Sequence, residues 1–338
     1  MVRGRFGLLV RRSVEPLCRR YDLDREGYCN RLRPGCLDVG VPPVRISEKK
    51  SPPPAGRFNV IGVSLDLRPC PSCDALVNVT ESRLSSIKRG ILGILHSDRM
   101  GSGLAASLSG KLGFTITATF GKVGRARIRP FINRAYSRKS YLTPHIRSCL
   151  RWWLRFLRIY RPRPVPSSLL AMPTIISYSD GEGGSAGVGV AAWVPWLSTP
   201  VAAFCMVPDE VRSLWAKMAG KLDYRDIYLI EAVGPLILLM AFPRIMRNVM
   251  WIHFIDNESA ESALISGSSS LLAADHVVGL TWEICSERTL YPYFDRVASA
   301  DNPVDALSRG DMSGPWTGVE RVAFPTARLM ELANECNG

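Results

Sequence analysis

The chain has 338 residues, of which 46% are hydrophobic, and it carries a formal net charge of +13. That length allows two or three domains with a sizeable core, and the positive charge favours a polyanionic partner, either nucleic acid or an anionic membrane. Nine irregularly spaced cysteines in so long a chain argue against the disulfide framework that is typical of small secreted proteins.

The first fifty residues are rich in Arg, Pro and Gly and show no sustained hydrophobic period. This composition predicts a poorly ordered basic segment over residues 1–50. Its apolar run near the N-terminus is five residues long, too short for the core of a signal peptide, so we expect an intracellular protein, nuclear or cytoplasmic and not secreted. Cys70 and Cys73 form a single CxxC pair, which favours reduced thiols over zinc because no second pair with ligand spacing accompanies it.

Residues 51–160 are predicted to form a smaller, mostly helical and basic domain. Residues 57–67 are typical of a strand, or of a hairpin about Gly62. Apolar residues recur with a helical period over 82–96 and 143–158, and 103–120 is a further helix candidate. Thr143 has the residue type of an N-cap, and a proline follows it at the first helical position.

This region also contains the longest basic stretch of the chain. From Lys111 to Arg163 there are fourteen Lys or Arg residues and no acid. Such a stretch can bind phosphates without reading sequence, although a solvated basic face is the alternative. Trp152 and Trp153 could stack on bases, or pack in a core. We predict nucleic-acid contacts from ten cations: Lys111, Lys122, Arg125, Arg127, Arg129, Arg134, Arg138, Lys139, Arg151 and Arg155.

A Pro-rich linker over 161–171 is predicted to precede an α/β domain over 172–310, with a tail over 311–338. Asp226 and Asn302 are the expected N-caps of two of its helices. The helix over 226–242 is the most apolar, but Glu231 and Pro235 within it favour a buried helix over a membrane span. The order of elements predicts a mixed five-stranded sheet with strands over 174–178, 186–193, 200–207, 249–255 and 291–298, and helices over 208–220, 226–242, 257–266, 271–288 and 303–308.

Four acids fall at positions from which they could converge. Asp180 and Asp256 end predicted strands, Glu231 lies in an apolar helix, and Asp305 lies in the first turn of the last helix. A carboxylate cluster of this kind suits Mg²⁺ or Mn²⁺. Each Asp has a simpler alternative, because Asp180 fits a hairpin turn, Asp256 an N-cap and Asp305 a capping acid. Glu231 has no such alternative, since a Glu among apolar neighbours is costly unless it is paired or binds a metal.

The order of these four acids along the elements, and three motifs that contain Asp180, Asp256 and Asp305, resemble the ribonuclease H domain of retroelement reverse transcriptases. The motifs are Tyr178-Ser-Asp-Gly, Phe254-Ile-Asp-Asn-Glu-Ser-Ala and, most specific, Asn302-Pro-Val-Asp-Ala-Leu-Ser-Arg. The resemblance covers about residues 172–310. Upstream, Phe58-Asn-Val-Ile-Gly-Val-Ser-Leu-Asp-Leu and Leu150-Arg-Trp-Trp-Leu resemble less specifically the thumb or connection region of the same polyproteins. The chain has no Asp-Asp dipeptide, so we expect the polymerase palm to be missing and the chain to be a C-terminal part of such a reading frame.

The resemblance implies a ribonuclease H-like fold and hydrolysis of the RNA strand of RNA–DNA hybrids with two Mg²⁺ or Mn²⁺ ions. Asp180 would bridge both ions, Glu231 and Asp256 would hold one, and Asp305 the other. The implied partners are an RNA–DNA hybrid or other nucleic acid and the polymerase part of a retroelement, and no membrane. The family pattern often has a His before the last acid, whereas here only His276 lies between Asp256 and Asp305. The alternative is a catalytically inactive nucleic-acid-binding remnant of the same fold.

Overall fold

The computed structural model describes residues 56–60, 62–68, 75–119, 121–166, 172–219, 225–327, 329 and 330, all within one compact unit over 55–338. The segment 1–50 and the pair Cys70 and Cys73 lie outside the described residues, so the predictions for them stay predictions. Within the described ranges, no helix combines the length and the apolar character that crossing a lipid bilayer requires.

An antiparallel four-stranded sheet opens the described chain. Strands β1 (Arg57–Val60) and β2 (Val63–Asp66) form the hairpin about Gly62, whose φ is +82°. The sheet continues with β3 (Ala75–Val79) and β4 (Arg163–Val165), in the order β1-β2-β3-β4. Neither β3 nor β4 is predicted by the sequence pattern, and β4 lies in the expected linker. Its Pro164 is tolerated because β4 is an edge strand.

Four helices lie between β3 and β4, which confirms the mostly helical character of this basic region. Thr143 is the N-cap of the last of them, since its hydroxyl accepts a hydrogen bond from the backbone N–H of Ile146 at 3.3 Å. The fully buried Leu150 and Trp153 lie on the inner face of this helix. The helices are α1 (Glu81–Ser97), α2 (Ser102–Ala118), α3 (Arg125–Ala135) and α4 (Pro144–Ile159).

The predicted mixed five-stranded sheet is confirmed, and its α/β arrangement is the ribonuclease H-like one that the resemblance implies. A two-residue strand, β10, adds a sixth strand to one edge, so that the order is β10-β7-β6-β5-β8-β9. The pairs β5–β6 and β6–β7 are antiparallel, whereas β5–β8 and β8–β9 are parallel. The strands are β5 (Thr174–Gly181), β6 (Gly187–Trp193), β7 (Val201–Met206), β8 (Met250–Ile255), β9 (Tyr291–Arg296) and β10 (Glu320–Arg321).

The helices that accompany this sheet begin close to their predicted positions, with one correction. The predicted helix over 303–308 is present but begins two residues later, at Asp305, and its N-cap is Val304 and not the expected Asn302. The Asn302 Oδ1 atom accepts from the backbone N–H of Val304 at 3.4 Å, and its amide nitrogen donates to the Ser179 carbonyl. The Asp226 side chain, the other expected cap, lies outside the described residues. The helices are α5 (Asp209–Ala219), α6 (Arg225–Ala241), α7 (Glu258–Ser266), α8 (Leu272–Glu287) and α9 (Asp305–Ser308).

Helix α6 lies unusually close to β5, and glycines make this possible. A Cβ placed on Gly234 would lie 2.4 Å from Cβ of Ser179, and one on Gly181 would lie 3.0 Å from the backbone nitrogen of Glu231. Real Cβ atoms do not approach other atoms so closely, so only glycine fits at Gly234 without a shift of the helix. The close contact places Glu231 beside the end of β5.

Gly234→Ala is therefore expected to destabilise the protein by about 1–3 kcal/mol, the usual cost of inserting a methyl group into a packed contact. Gly90→Ala is the matched control, because Gly90 is an exposed glycine of α1 with nothing within 4 Å of its Cβ position. There the alanine is expected to stabilise by about 0.5–1 kcal/mol. Urea denaturation of both variants measures the difference, and a shift of the same sign in both would contradict the close packing of α6 on β5.

One continuous hydrophobic core runs from the helical region into the α/β region. Across the predicted linker, Arg127 of α3 pairs with Glu283 of α8 at 3.7 Å, and the Tyr291 hydroxyl donates to the Pro164 carbonyl at 2.8 Å. The helical region is thus packed against the helices and edge of the second sheet. The division into separate domains at 161–171 stays a prediction.

Candidate metal centre

Three of the four predicted acids meet at one end of the sheet. Asp180 lies near the end of β5, Asp256 directly follows β8, and Glu231 lies on α6. One carboxylate oxygen from each of the three lies within 4.8 Å of the other two. The strands are parallel neighbours, so their carboxyl ends share one edge of the sheet, and the close packing of α6 on β5 brings in the third acid.

The three carboxyl groups cannot all be ionised there without compensation. Burial, together with the negative charges of Asp256 and Asp180, raises the pKa of Glu231 to about 10. Burial also raises the pKa of Asp180, with the charge of Asp256 as a further cause, while the Ser308 hydroxyl opposes the shift. Without a cation, the Glu231 carboxyl group is therefore protonated at neutral pH and shares a hydrogen bond with Asp256.

The donor set fits a hard divalent cation. The side chain of Glu231 is buried, and its Oε2 finds no hydrogen-bond partner among the described residues. An orphaned buried oxygen costs free energy unless a cation or a donor completes it. Three carboxylates that offer oxygens at this spacing match the preference of Mg²⁺ and Mn²⁺ for oxygen ligands.

Two uncharged side chains orient Asp180, and neither was among the predicted site residues. The Ser308 hydroxyl donates to Oδ2 of Asp180, and Nδ2 of Asn302 donates to its Oδ1 at 3.4 Å. The same Asn302 amide donates to the Ser179 carbonyl at 3.1 Å, which ties the loop before α9 to β5. Both residues stand in the Asn302-Pro-Val-Asp-Ala-Leu-Ser-Arg motif, so a signal for them was present in the sequence.

The glycines of β6 make room for this arrangement. Gly189 is the cross-strand neighbour of Asp180, and a Cβ on it would lie 2.7 Å from the backbone nitrogen of Ser308. A Cβ on Gly187 would lie 2.1 Å from the Ser308 carbonyl oxygen. The Gly-Val-Gly pattern of β6 is therefore what allows α9 to lie directly on the sheet and its hydroxyl to reach Asp180.

Asp305, the fourth predicted acid, lies apart from the other three. It is not within the group whose oxygens come together, and its Oδ1 accepts from Nη2 of Arg309 at 2.7 Å. Its side chain is 38% exposed. Its charge still raises the pKa of Asp180, so it lies near enough to act on the centre electrostatically.

A buried network holds β5 and β8 in register beneath the acids. His253 of β8 lies between two hydroxyls of β5, with Nδ1 2.8 Å from Ser177 Oγ and Nε2 3.0 Å from Ser179 Oγ. Trp251 adds a hydrogen bond from Nε1 to Ser177 Oγ at 2.7 Å. Burial lowers the pKa of His253 to about 3, so the ring is neutral and serves to position the strands that carry Asp180 and Asp256. His276, the one histidine between Asp256 and Asp305, is buried within α8, so it does not stand in the position of the histidine that the family pattern often has before the last acid.

The structure divides the ten predicted nucleic-acid contacts by exposure. Arg127 and Arg134 are buried, Arg127 beside Glu283 and 5.7 Å from the Trp152 ring, so neither belongs to an open phosphate-binding surface. Trp152 and Trp153 are both buried as well, which excludes base stacking at an open surface. Eight cations remain, of which two are half-buried, Lys122 and Arg129, and six are exposed, Lys111, Arg125, Arg138, Lys139, Arg151 and Arg155.

No protein-family model matches the chain, and no curated protein matches it. Among solved structures, the chain is similar to the foamy viral protease-reverse transcriptase. The structure of its dRH form with double-stranded DNA shows 13% identity, a TM-score of 0.28, and coverage of 71% of this chain and 38% of that one. The complex with an RNA/DNA hybrid shows 10% identity, a TM-score of 0.28, and coverage of 80% and 31%. The chain thus spans less than half the length of these neighbours, and at such TM-scores the likeness carries no argument.

Proposed function

We propose that this chain is a ribonuclease H-type endonuclease that hydrolyses the RNA strand of RNA–DNA hybrids as part of a retroelement reverse transcriptase. The observation that carries the proposal is the convergence of Asp180, Glu231 and Asp256, with one orphaned Glu231 oxygen. The four acids and the three sequence motifs follow one another in the order of that family, which supports the interpretation of the cluster as a nuclease centre. Hydrolysis of a phosphodiester is the chemistry that such a cluster supports.

Each acid has a distinct role in the proposal. Asp180, whose carboxylate accepts hydrogen bonds from Ser308 and Asn302, would be the ligand that both ions share. Glu231 and Asp256 would be ligands of one Mg²⁺ ion, and Asp305, which is paired with Arg309, would be the ligand of a second. When bound, the ions supply Lewis-acid chemistry that lowers the pKa of water and stabilises the charge developing on the leaving oxygen.

Hybrid binding in this proposal depends on the exposed cations of the helical region. Arg151 and Arg155 lie one turn apart on α4 and are exposed, and Arg138 and Lys139 lie in the exposed segment after α3. Cations of this kind bind the phosphate backbone of a duplex without reading its bases. The proposed partner is consequently recognised by shape and charge.

Cleavage assays on four labelled substrates test this function. We expect Mg²⁺-dependent cutting of the RNA strand in an RNA–DNA hybrid, and no cutting of the DNA strand, of double-stranded DNA or of single-stranded RNA. The 2′-hydroxyl of the cut strand is the chemical difference that such an enzyme reads. Equal cleavage of the DNA duplex would contradict the substrate class, and hybrid binding without any cleavage would assign the chain to an inactive remnant of the same fold.

A further inference from the structure

A second polar site lies away from the acidic cluster, where the helical region meets the start of α8. It is a cavity of about 380 Å³. Its described lining is partly apolar, but it includes two guanidinium groups from α3, Arg129 and Arg134, together with Asn133, Thr143, Ser269 and Ser270. A volume of that order accommodates a small charged group and part of the molecule that carries it.

Arg134 is the feature that points to a ligand. Its side chain is 5% exposed, it lines the cavity, and its Nη1 finds no hydrogen-bond partner among the described residues. The guanidinium lies 5.5 Å from the ring of Tyr141, a contact that does not satisfy its N–H groups. A buried cation with a free donor is costly unless an anion completes it.

The other charges around the cavity leave it net positive. Asp275 is the one acid among the described lining residues, and its Oδ1 is already occupied by the backbone N–H of Ser269 at 2.8 Å. Burial raises the pKa of Asp275 to about 7, so part of its charge is absent at neutral pH. His145 also lines the cavity, and burial lowers its pKa to about 4, which leaves it neutral. Arg129 and Arg134 therefore dominate the local charge.

We propose that this cavity binds one phosphate group of a nucleic-acid strand, with the guanidinium groups of Arg134 and Arg129 as its main ligands. Two Arg side chains with surrounding hydroxyls and an amide form the donor set that a tetrahedral oxyanion takes. Ser137, which lines the cavity, directly precedes the exposed cations Arg138 and Lys139 in the chain. The proposal that the phosphate belongs to a nucleic acid rests on the proposed function. The proposal that the cavity binds a phosphate does not depend on nuclease activity.

The position of the cavity connects it to the acidic centre. The Ser269 hydroxyl, on its lining, lies 2.8 Å from the hydroxyl of Tyr228 on α6. Tyr228 precedes Glu231 by three residues, which is about 4.5 Å along a helix axis. A phosphate held here would anchor a strand beside α6, the helix that carries Glu231, and so would fix the position of the strand relative to the acids.

Titration of the full chain with inorganic phosphate, at constant ionic strength in a calorimeter, tests the site itself. We expect saturable binding by the wild type and roughly ten-fold weaker binding by Arg134→Met, the usual effect of losing a charge-assisted hydrogen bond. Arg129→Met provides a second, half-buried position in case the buried variant does not fold, which circular dichroism checks. Arg89→Met, on the exposed face of α1, is the matched control and is expected to bind as the wild type does.

Hybrid binding without cleavage, measured by fluorescence anisotropy in EDTA over a range of salt, identifies the source of the phosphate. The salt slope is the slope of the logarithm of the binding constant against the logarithm of the salt concentration. We expect Arg134→Met and Arg129→Met each to lower its magnitude by about one, the effect of one lost phosphate contact, and Arg89→Met to leave it unchanged. No phosphate binding by the wild type would overturn the site. Phosphate binding with an unchanged hybrid slope would overturn the nucleic-acid source and assign the cavity to a small phosphorylated ligand. Neither readout depends on cleavage, so a failure of the proposed nuclease activity remains distinguishable.

Discussion

Asp256→Asn is expected to lower Mg²⁺-dependent cleavage of the RNA strand in a hybrid by at least about 100-fold, since even residues that only support a metal ligand cost about 10- to 100-fold. Asparagine keeps the shape of the side chain and one oxygen, but it removes the negative charge that the cation requires. The Asp256 carboxylate lies within the group whose oxygens approach to 4.8 Å, so no other described acid replaces it. Single-turnover cleavage of a labelled hybrid measures the loss.

Two further variants make this result specific. Asp209→Asn changes an acid at the exposed start of α5 and is expected to cleave as the wild type does. Asp305→Asn is expected to lose less than Asp256→Asn, because Asp305 lies outside the group of three and is paired with Arg309. Equal cleavage by Asp256→Asn and the wild type would refute the assignment of the centre.

Glu231→Gln is expected to stabilise the metal-free protein at neutral pH while it abolishes stabilisation by Mg²⁺. The pKa of Glu231 is about 10 in the folded protein, whereas an unperturbed glutamate has a pKa of 4.5. The pKa of this carboxyl group is higher in the folded than in the unfolded protein. Its contribution to the free energy of unfolding is therefore complete below the pKa of the unfolded state, and it is lost as the pH rises towards the pKa of the folded state. Between pH 4.5 and 7 the loss is roughly 3 kcal/mol, and glutamine, which does not ionise, avoids it.

The contacts around Glu231 favour the glutamine. One carboxyl oxygen accepts the backbone N–H of Gly181 and the group bonds to Asp256, whereas Oε2 has no partner among the described residues. A glutamine amide can keep the first bond and donate to Asp256, so it fills the site without a buried charge. Thermal unfolding in EDTA and in Mg²⁺ measures both effects, because an ion that binds only the folded state raises the melting temperature.

Glu210→Gln is the matched control for this experiment, since Glu210 is exposed at the start of α5. It is expected to leave both the metal-free stability and the gain in Mg²⁺ unchanged. The interpretation of the acids as a metal centre predicts that Glu231→Gln melts at a higher temperature than the wild type in EDTA, and that Mg²⁺ raises the melting temperature of the wild type only. A lower melting temperature of Glu231→Gln than of the wild type in EDTA would contradict this interpretation. So would a wild-type melting temperature that Mg²⁺ does not change.

The order of the α/β elements was predictable from the sequence, for a local reason, although the strand predicted over 174–178 continues to Gly181. Strands β5 and β8 are apolar runs that end on an acid, and α6 is an apolar helix interrupted by one Glu, so periodicity alone places Asp180, Asp256 and Glu231 at element ends or within a buried helix. The strands β3 and β4 were missed because a short segment pairs only when a neighbouring strand is present, and β4 begins with residues typical of a linker.

The residues that could form a site were identifiable from the sequence, namely four acids, three of them within motifs, and a basic stretch without acids. Which of them meet depends on the packing of the elements. It brought Asp180, Glu231 and Asp256 together and left Asp305 with Arg309, and it buried Arg134 beside a cavity instead of exposing it. The spacing of apolar residues shows which face of a helix or strand is buried. It does not show which element covers that face, because this depends on packing between elements that are distant in the chain.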